Sequence, residues 1–217
     1  VEPPMFPAKK KKYLFRKKEM TKVSGLRQFA ILSARYVKLI SRDIKRLFLL
    51  LLMAPGLGGL LALAFGALYP FEASKDTMSF VFALSCCAFW IGMFNSIQEI
   101  CKEQVIFQRE RMAILKLSSY IGSKLVVLGV LCFIQSALLM GAVSVFVGNP
   151  EHGMLLPSFP WIELFITTCL TMFSAMTLGL FISSLSGNPD RAITLAPIFL
   201  VPQILFSGIA CELNDIG

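Results

Sequence analysis

Five long stretches without a charged residue constrain this 217-residue chain more than any other feature. Each contains 20 to 26 residues, and about 20 apolar residues let a helix cross the hydrocarbon of a bilayer. The five windows are residues 47–69, 77–98, 125–150, 164–189 and 192–211. The composition agrees, because 56% of the residues are hydrophobic and only 16% are charged, against about 25% charged in soluble domains. The pattern predicts an all-α, polytopic helical membrane protein.

The basic residues predict the orientation of these spans. Residues 1–46 contain 14 Lys and Arg side chains, residues 99–124 contain five, and Arg191 follows the fourth window. On the opposite side of the spans Lys75 is the only basic residue. Because basic residues concentrate on the cytoplasmic side of membrane proteins, we expect a cytoplasmic N-terminus.

The N-terminal part divides into a linker and a helix. Residues 1–23 contain three prolines and the lysine run at 9–12, which indicates a basic cytoplasmic linker. It either approaches anionic lipid or, the interpretation we favour, is a solvated tether. The pattern at residues 24–43 predicts an amphipathic helix in the membrane interface. Residues 44–217 are expected to form the transmembrane domain. The apolar face of the amphipathic helix would contain Phe29, Leu32, Tyr36 and Ile40, opposite Arg35, Lys38, Arg42 and Lys45.

One face of the second span is a candidate lining for a cavity. Ala88, Ile91 and Asn95 follow one another at helical spacing and share that face. Two interpretations of Asn95 stay open, because it could line a central cavity or mark the end of the span at the inner headgroups.

Catalytic and metal-binding motifs are missing from the sequence. It contains no GxxxxGK[ST], GxSxG or HExxH pattern, its six cysteines form no CxxC pair, and His152 has no partner at metal-ligand spacing. Membrane topology accounts for the basic residues, so nucleic-acid binding is not expected. We therefore expect no catalytic residue and no metal site in this chain.

The polar segment at residues 99–124, which we call the elbow, separates the second and third windows. Its sequence from 102, KEQVIFQRERMAILKLSSYIGSK, resembles the KERPIYxRERMxxLxxxxYxxSK signature of White-type (G-subfamily-like) ABC transporters. Residues 27–66 and 178–208 resemble the same family in the same order. The likeness is closest to the bacterial branch, in which an FHA domain and an ATPase precede the membrane domain.

The resemblance implies a function that composition does not supply. Residues 24–43 would be the connecting helix and the elbow would dock on an ATPase domain, in the same polypeptide or a separate subunit, which binds ATP and Mg²⁺. The implied coupling residues are Glu103, Phe107, Arg109, Glu110 and Arg111.

The family also implies a pair of membrane domains that exports a lipophilic or amphipathic substrate, by alternating access, from the bacterial inner membrane. Added candidates for the cavity between the second and fifth spans are Phe206, Ile209 and Ala210. Two departures are Val105, where the family has proline, and the small pair Ile209-Ala210, where eukaryotic members have a bulky one. Since the family has six spans, we expect this chain to be a piece truncated before the sixth.

Two other functions compete with transport. A non-transporting membrane scaffold or assembly subunit would use the same helices, and an ATPase domain before Val1 would argue against it. A membrane enzyme acting on lipid would require His, Asp or Glu within the spans. The five windows contain none of these three residue types.

The orientation can be tested with single cysteines in a background without the native ones. We expect a cysteine at Lys75 to react with an impermeant thiol reagent added outside the cell, and a cysteine at Arg109 to be protected. Labelling of permeabilised cells is the control for reactivity at both positions. The reverse pattern would contradict both the orientation and the assignment of the elbow.

Overall fold

The computed structural model describes residues 25–65, 74–104, 117–147 and 159–205, and within these ranges the chain is helical without a strand. Six α-helices occur within these described ranges. They are α1 (Gly25–Arg42), α2 (Ile44–Phe65), α3 (Ser74–Ser96), α4 (Leu117–Phe146), α5 (Pro160–Leu185) and α6 (Pro189–Leu205). A short 3₁₀ turn, Cys101–Glu103, follows α3.

Helix α1 has the two faces that its sequence predicts. Tyr36 is buried, while the basic side chains Arg35, Lys38 and Arg42 are exposed. The helix packs against the first turns of α4, where the Ser119 hydroxyl donates a 3.0 Å hydrogen bond to the Gly25 carbonyl. This contact fixes α1 across one end of the bundle, which we call the α1 end.

One residue, Asp43, separates α1 from α2. Its carboxylate accepts a 3.3 Å hydrogen bond from the backbone N–H of Arg46, in the manner of a helix N-cap. The cap satisfies an N–H that has no partner within the first turn of α2. The polar helix therefore changes into a membrane-spanning one within a single residue.

Helices α3 and α5 form the closest pair in the bundle because glycines remove the side chains between them. A Cβ atom on Gly92 would collide with the backbone of Met172, and one on Gly179 would collide with the Ser96 side chain and lie 2.9 Å from the Met93 carbonyl oxygen. Small residues at such contacts allow the van der Waals packing that holds membrane helices together.

Helices α2 and α4 form a second pair, which includes a polar contact at a proline. Pro55 has no N–H, so the Leu51 carbonyl, four residues before it, loses its helical donor. The neighbouring Leu50 carbonyl accepts a 2.8 Å hydrogen bond from the Gln135 side chain of α4. The same amide bonds to Asn95 of α3 at 3.3 Å, so a side chain of α4 links three helices.

The architecture confirms the prediction of an all-α polytopic membrane protein. Four segments in the described part of the chain are long and apolar enough to cross a membrane: Ile44–Phe65, Thr77–Glu103, Leu117–Val145 and Pro160–Leu185. The fifth predicted window overlaps α6, which has 17 described residues and contains Pro197 and Pro202. The rest of that window lies outside the described residues.

The α3–α5 contact predicts different effects for the same substitution at two glycines. Gly92→Ala places a methyl group against the Met172 backbone and should destabilise the domain by about 1–3 kcal/mol through overpacking. Gly59→Ala meets no atom within 4 Å and should be neutral or slightly stabilising. Thermal unfolding of the purified variants in detergent measures both, and equal stability of the two would contradict the contact.

Candidate functional site

A cluster of charged side chains lies at the α1 end of the bundle, where three of the uncharged windows begin or end. Arg46 precedes the first window, Glu99 follows the second, and Lys124 precedes the third. Since α2, α3 and α4 pack side by side, these three positions lie at the same end of the bundle. The structure brings them into direct contact.

Glu99 is the centre of this cluster. Its carboxylate is 6% exposed and accepts hydrogen bonds from the Tyr36 hydroxyl, at 2.5 Å, and from the Arg46 guanidinium. The Lys124 ammonium lies 3.7 Å from the same carboxylate. A buried carboxylate is tolerated only when its charge is compensated and its oxygens are bonded, and both conditions are met here.

Lys124 is more deeply buried than Glu99, with 2% of its side chain exposed. Its ammonium forms a 2.8 Å ion pair with Glu103 and donates to the Glu99 backbone carbonyl at 3.4 Å. It also lies 3.9 Å from the centre of the Tyr36 ring, a favourable position for a cation over an aromatic face. The Tyr120 hydroxyl completes the group by donating to Glu103 at 3.0 Å.

Tyr36 keeps its proton in this environment. Burial of the phenol, the nearby Glu99 charge and the hydrogen bond to Glu99 all raise the pKa of Tyr36 far above its usual value. The hydroxyl therefore remains a donor throughout the physiological pH range. It provides the direct link between α1 and the carboxylate at the start of the elbow.

The ion pairs join the two ends of the elbow. Glu99 and Glu103 lie at its beginning, and Lys124 is its last residue. The charges of Arg46, Lys124, Glu99 and Glu103 sum to zero, so the two buried members, Glu99 and Lys124, carry no unbalanced charge into the bundle. A displacement of the elbow would consequently be transmitted to α3 and α4 together, and through Tyr36 and Arg46 to α1 and α2.

A second polar contact connects the start of the elbow to α5. The Ser183 hydroxyl accepts hydrogen bonds from the backbone N–H groups of Ile100 and Cys101, at 3.0 and 3.1 Å. The Cys101 thiol donates in turn to the carbonyls of Ser183 and Ser186. These bonds satisfy backbone groups of the turn after α3 and connect it to the end of α5.

A crevice of about 200 Å³ opens beside the cluster, between α1, α2, α3 and α4. Its lining includes leucines such as Leu39 and Leu131 together with five polar side chains, Tyr36, Asp43, Arg46, Asn95 and Glu99. Its lining thus combines ionic and hydrocarbon surface.

The predicted site residues have different locations. Glu103 is partly exposed and paired with Lys124, whereas Ala88 and Ile91 are buried in the core among the helices of this chain. Asn95 lines the crevice and bonds to Gln135. The proposed role of Asn95 in a transport cavity stays a prediction, as do the roles of the other predicted site residues. Seven predicted residues lie outside the described part of the chain: Phe107, Arg109, Glu110, Arg111, Phe206, Ile209 and Ala210.

Sequence reasoning missed the ion cluster and the Ser183 contact. A signal for the cluster was available, because Arg46, Glu99 and Lys124 each directly adjoin an uncharged window. Antiparallel neighbours in a bilayer bring such positions to the same depth, where opposite charges pair. No comparable signal identifies Ser183, since nothing in the sequence indicates which loop it meets.

Comparison with known proteins identifies the family. Residues 27–217 match the family described as ABC-2 type transporter. The chain belongs to this family. As an ABC-2 membrane domain it is an ABC transporter permease and an integral membrane protein.

The ABC-2 domain is also similar to a curated protein, the ABC transporter ATP-binding/permease protein of Mycobacterium tuberculosis. The two are 29% identical over 192 residues, covering 85% of this chain and 22% of that protein. The chain thus spans about a fifth of the length of this relative. No solved structure matches the chain. The resemblance to White-type ABC membrane domains is confirmed.

The ion cluster predicts that two lysines of the ABC-2 domain respond differently to the same substitution. Lys124→Met leaves two carboxylates without their buried cation and should destabilise the domain by roughly 3–5 kcal/mol. Lys102→Met alters an exposed side chain and should cost less than about 1 kcal/mol. Denaturant unfolding of the purified variants provides the comparison. Similar losses at both positions would show that Lys124 has no special structural role.

Proposed function

We propose that this chain is the membrane-spanning part of an ATP-driven exporter, in which the elbow couples the spans to an ATPase domain. ATP and Mg²⁺ would bind to that domain, either on the same polypeptide or on a separate subunit. Two copies of the membrane domain would act as a pair in the bacterial inner membrane. The name of the mycobacterial relative, which combines ATP-binding and permease functions, supports an ATPase partner.

The observation that supports coupling best is the position of the ion cluster at both ends of the elbow. Lys124 is buried and pairs with Glu99 and Glu103, so ion pairs join the two ends of the elbow. Breaking a buried ion pair is costly, because each separated charge loses its compensation in a medium of low polarity. A force on the loop would therefore move its two helices together rather than separate them.

Three connections extend this movement beyond α3 and α4. The Tyr36 hydroxyl links Glu99 to α1, and the Arg46 guanidinium links it to the first turn of α2. The Ser183 hydroxyl holds the beginning of the elbow against α5. An ATPase that displaces the elbow would thereby act on all five helices, α1 to α5, through hydrogen bonds and ion pairs.

Direction and substrate class rest on the family resemblance. We propose export of a lipophilic or amphipathic substrate, with a path between the second and fifth spans of two subunits. Ala88, Ile91 and Asn95 stay proposed lining residues of that path, as do Phe206, Ile209 and Ala210. The proposed contacts with the ATPase are Glu103, Phe107, Arg109, Glu110 and Arg111.

The coupling role can be tested in the complete transporter, reconstituted in liposomes. Glu110→Ala removes a carboxylate from the proposed ATPase contact, and Tyr36→Phe removes only the hydroxyl that bonds Glu99. We expect both variants to hydrolyse ATP but to lose substrate stimulation and transport. A loss of one to two kcal/mol of coupling would lower transport by about 5- to 30-fold.

A carboxylate at the same end of the bundle but outside the cluster provides the control. Asp190→Asn, in the first turn of α6, changes an exposed charge and should leave both activities intact. Membrane-inserted protein must be equal in all samples. Normal stimulation and transport in Glu110→Ala and Tyr36→Phe would refute the coupling proposal.

A further inference from the structure

The crevice at the α1 end has a size that suits part of a molecule rather than a whole drug-sized ligand. Its volume of about 200 Å³ is well above the roughly 30 Å³ of one water molecule. It is also below the 300–1,000 Å³ of typical pockets for whole drug-sized molecules. A crevice of this size accommodates part of a larger molecule, such as a headgroup with the first segment of a hydrocarbon chain.

The lining of the crevice contains both kinds of surface that an amphiphile contacts. Leu39, Leu47, Leu50 and Leu131 provide hydrocarbon contact, and Arg46 provides a cation. The Arg46 side chain is 40% exposed even though it bonds Glu99. A guanidinium has five N–H donors in a planar fork, so it can bond a carboxylate and a phosphate at the same time.

The charges around the crevice favour an anionic headgroup. Lys102 interacts electrostatically with Arg46, Glu99 and Asp43, which places a further cation near the opening. Arg42 and Lys45, also exposed, flank Asp43 in the sequence. Both acidic groups of the lining have cationic neighbours, since Glu99 is paired with Arg46 and Lys124, and Asp43 interacts with Lys102.

We propose that this crevice binds one anionic phospholipid, with its phosphate at Arg46 and the start of an acyl chain against the leucines of the lining. The rest of the chains would lie outside the crevice, against the exposed apolar side chains of α2 such as Phe48 and Leu49. Because the phosphate would share Arg46 with Glu99, the bound lipid would weaken one bond of the ion cluster. That regulatory consequence, but not the binding itself, rests on the proposed coupling function.

Binding can be measured with a photoactivatable phosphatidylglycerol that has a diazirine in its acyl chain. The complete transporter, in nanodiscs of phosphatidylcholine with this probe, is irradiated and digested, and labelled peptides are located by mass spectrometry. We expect labelling around residues 39–50 and 128–131. Unlabelled phosphatidylglycerol should compete better than added phosphatidylcholine, because both have a phosphate but only the former has a net charge.

Two pairs of variants separate the crevice from general lipid contact. Leu131→Trp fills the crevice from α4 and should reduce labelling several-fold. Val130→Trp, on the exposed side of the same helix, should not. Leu47→Trp fills the crevice from α2 and replaces Leu131→Trp where that variant is poorly folded. Arg46→Gln should reduce the preference for phosphatidylglycerol about fivefold, and Arg27→Gln, at the far end of α1, should not.

Three results would overturn the proposal. They are labelling spread evenly over the spans, labelling unaffected by both crevice-filling variants, and equal competition by the two lipids. Since the readout is binding, it does not depend on ATP hydrolysis or transport. Labelling of the crevice as expected, with normal coupling in Glu110→Ala and Tyr36→Phe, would contradict only the coupling proposal. Loss of coupling in those variants, without specific labelling of the crevice, would contradict only the lipid proposal.

Discussion

The structure depends on the compensation of one buried carboxylate. Glu99 lies where the second span meets the elbow, and an isolated charge there would cost several kcal/mol in a medium of low polarity. Arg46, Lys124 and the Tyr36 hydroxyl each come from a different helix, so the carboxylate is satisfied only when all of them are in place. The cluster thus specifies the arrangement of four helices at one end of the bundle, although hydrophobic and close packing determine most of the rest.

The apolar part of the bundle follows different rules at its two main contacts. Between α3 and α5, Gly92 and Gly179 let the backbones approach closely, and attraction comes from van der Waals contact. Between α2 and α4, Gln135 bonds the Leu50 carbonyl beside the Pro55 turn and an amide on α3. A polar network of this kind fixes register more strictly than apolar packing, because each member lacks an alternative partner in hydrocarbon.

The sequence predicted the number and type of helices well, since uncharged windows of span length leave few alternatives. It also predicted the buried face of α1, where Tyr36 lies among the residues assigned to the apolar side. It did not predict what Tyr36 bonds to, because helical periodicity identifies a face but not the neighbour that covers it. Similarly, the spacing of Ala88, Ile91 and Asn95 identified a shared face, while burial of the first two depends on how α3 packs against the other helices.

The close approach of α3 and α5 has a mechanical consequence. Without side chains between them, the two backbones cannot slide past each other unless Gly92 and Gly179 lose contact with the surfaces that they match. The hydrogen bonds of Ser183 to Ile100 and Cys101 fasten the same pair again at one end. Helices α3 and α5 should therefore move as one rigid unit during any conformational cycle, and bending should be confined to the helices that pack against them. In that case the turn of α2 at Pro55 would act as the hinge of the domain.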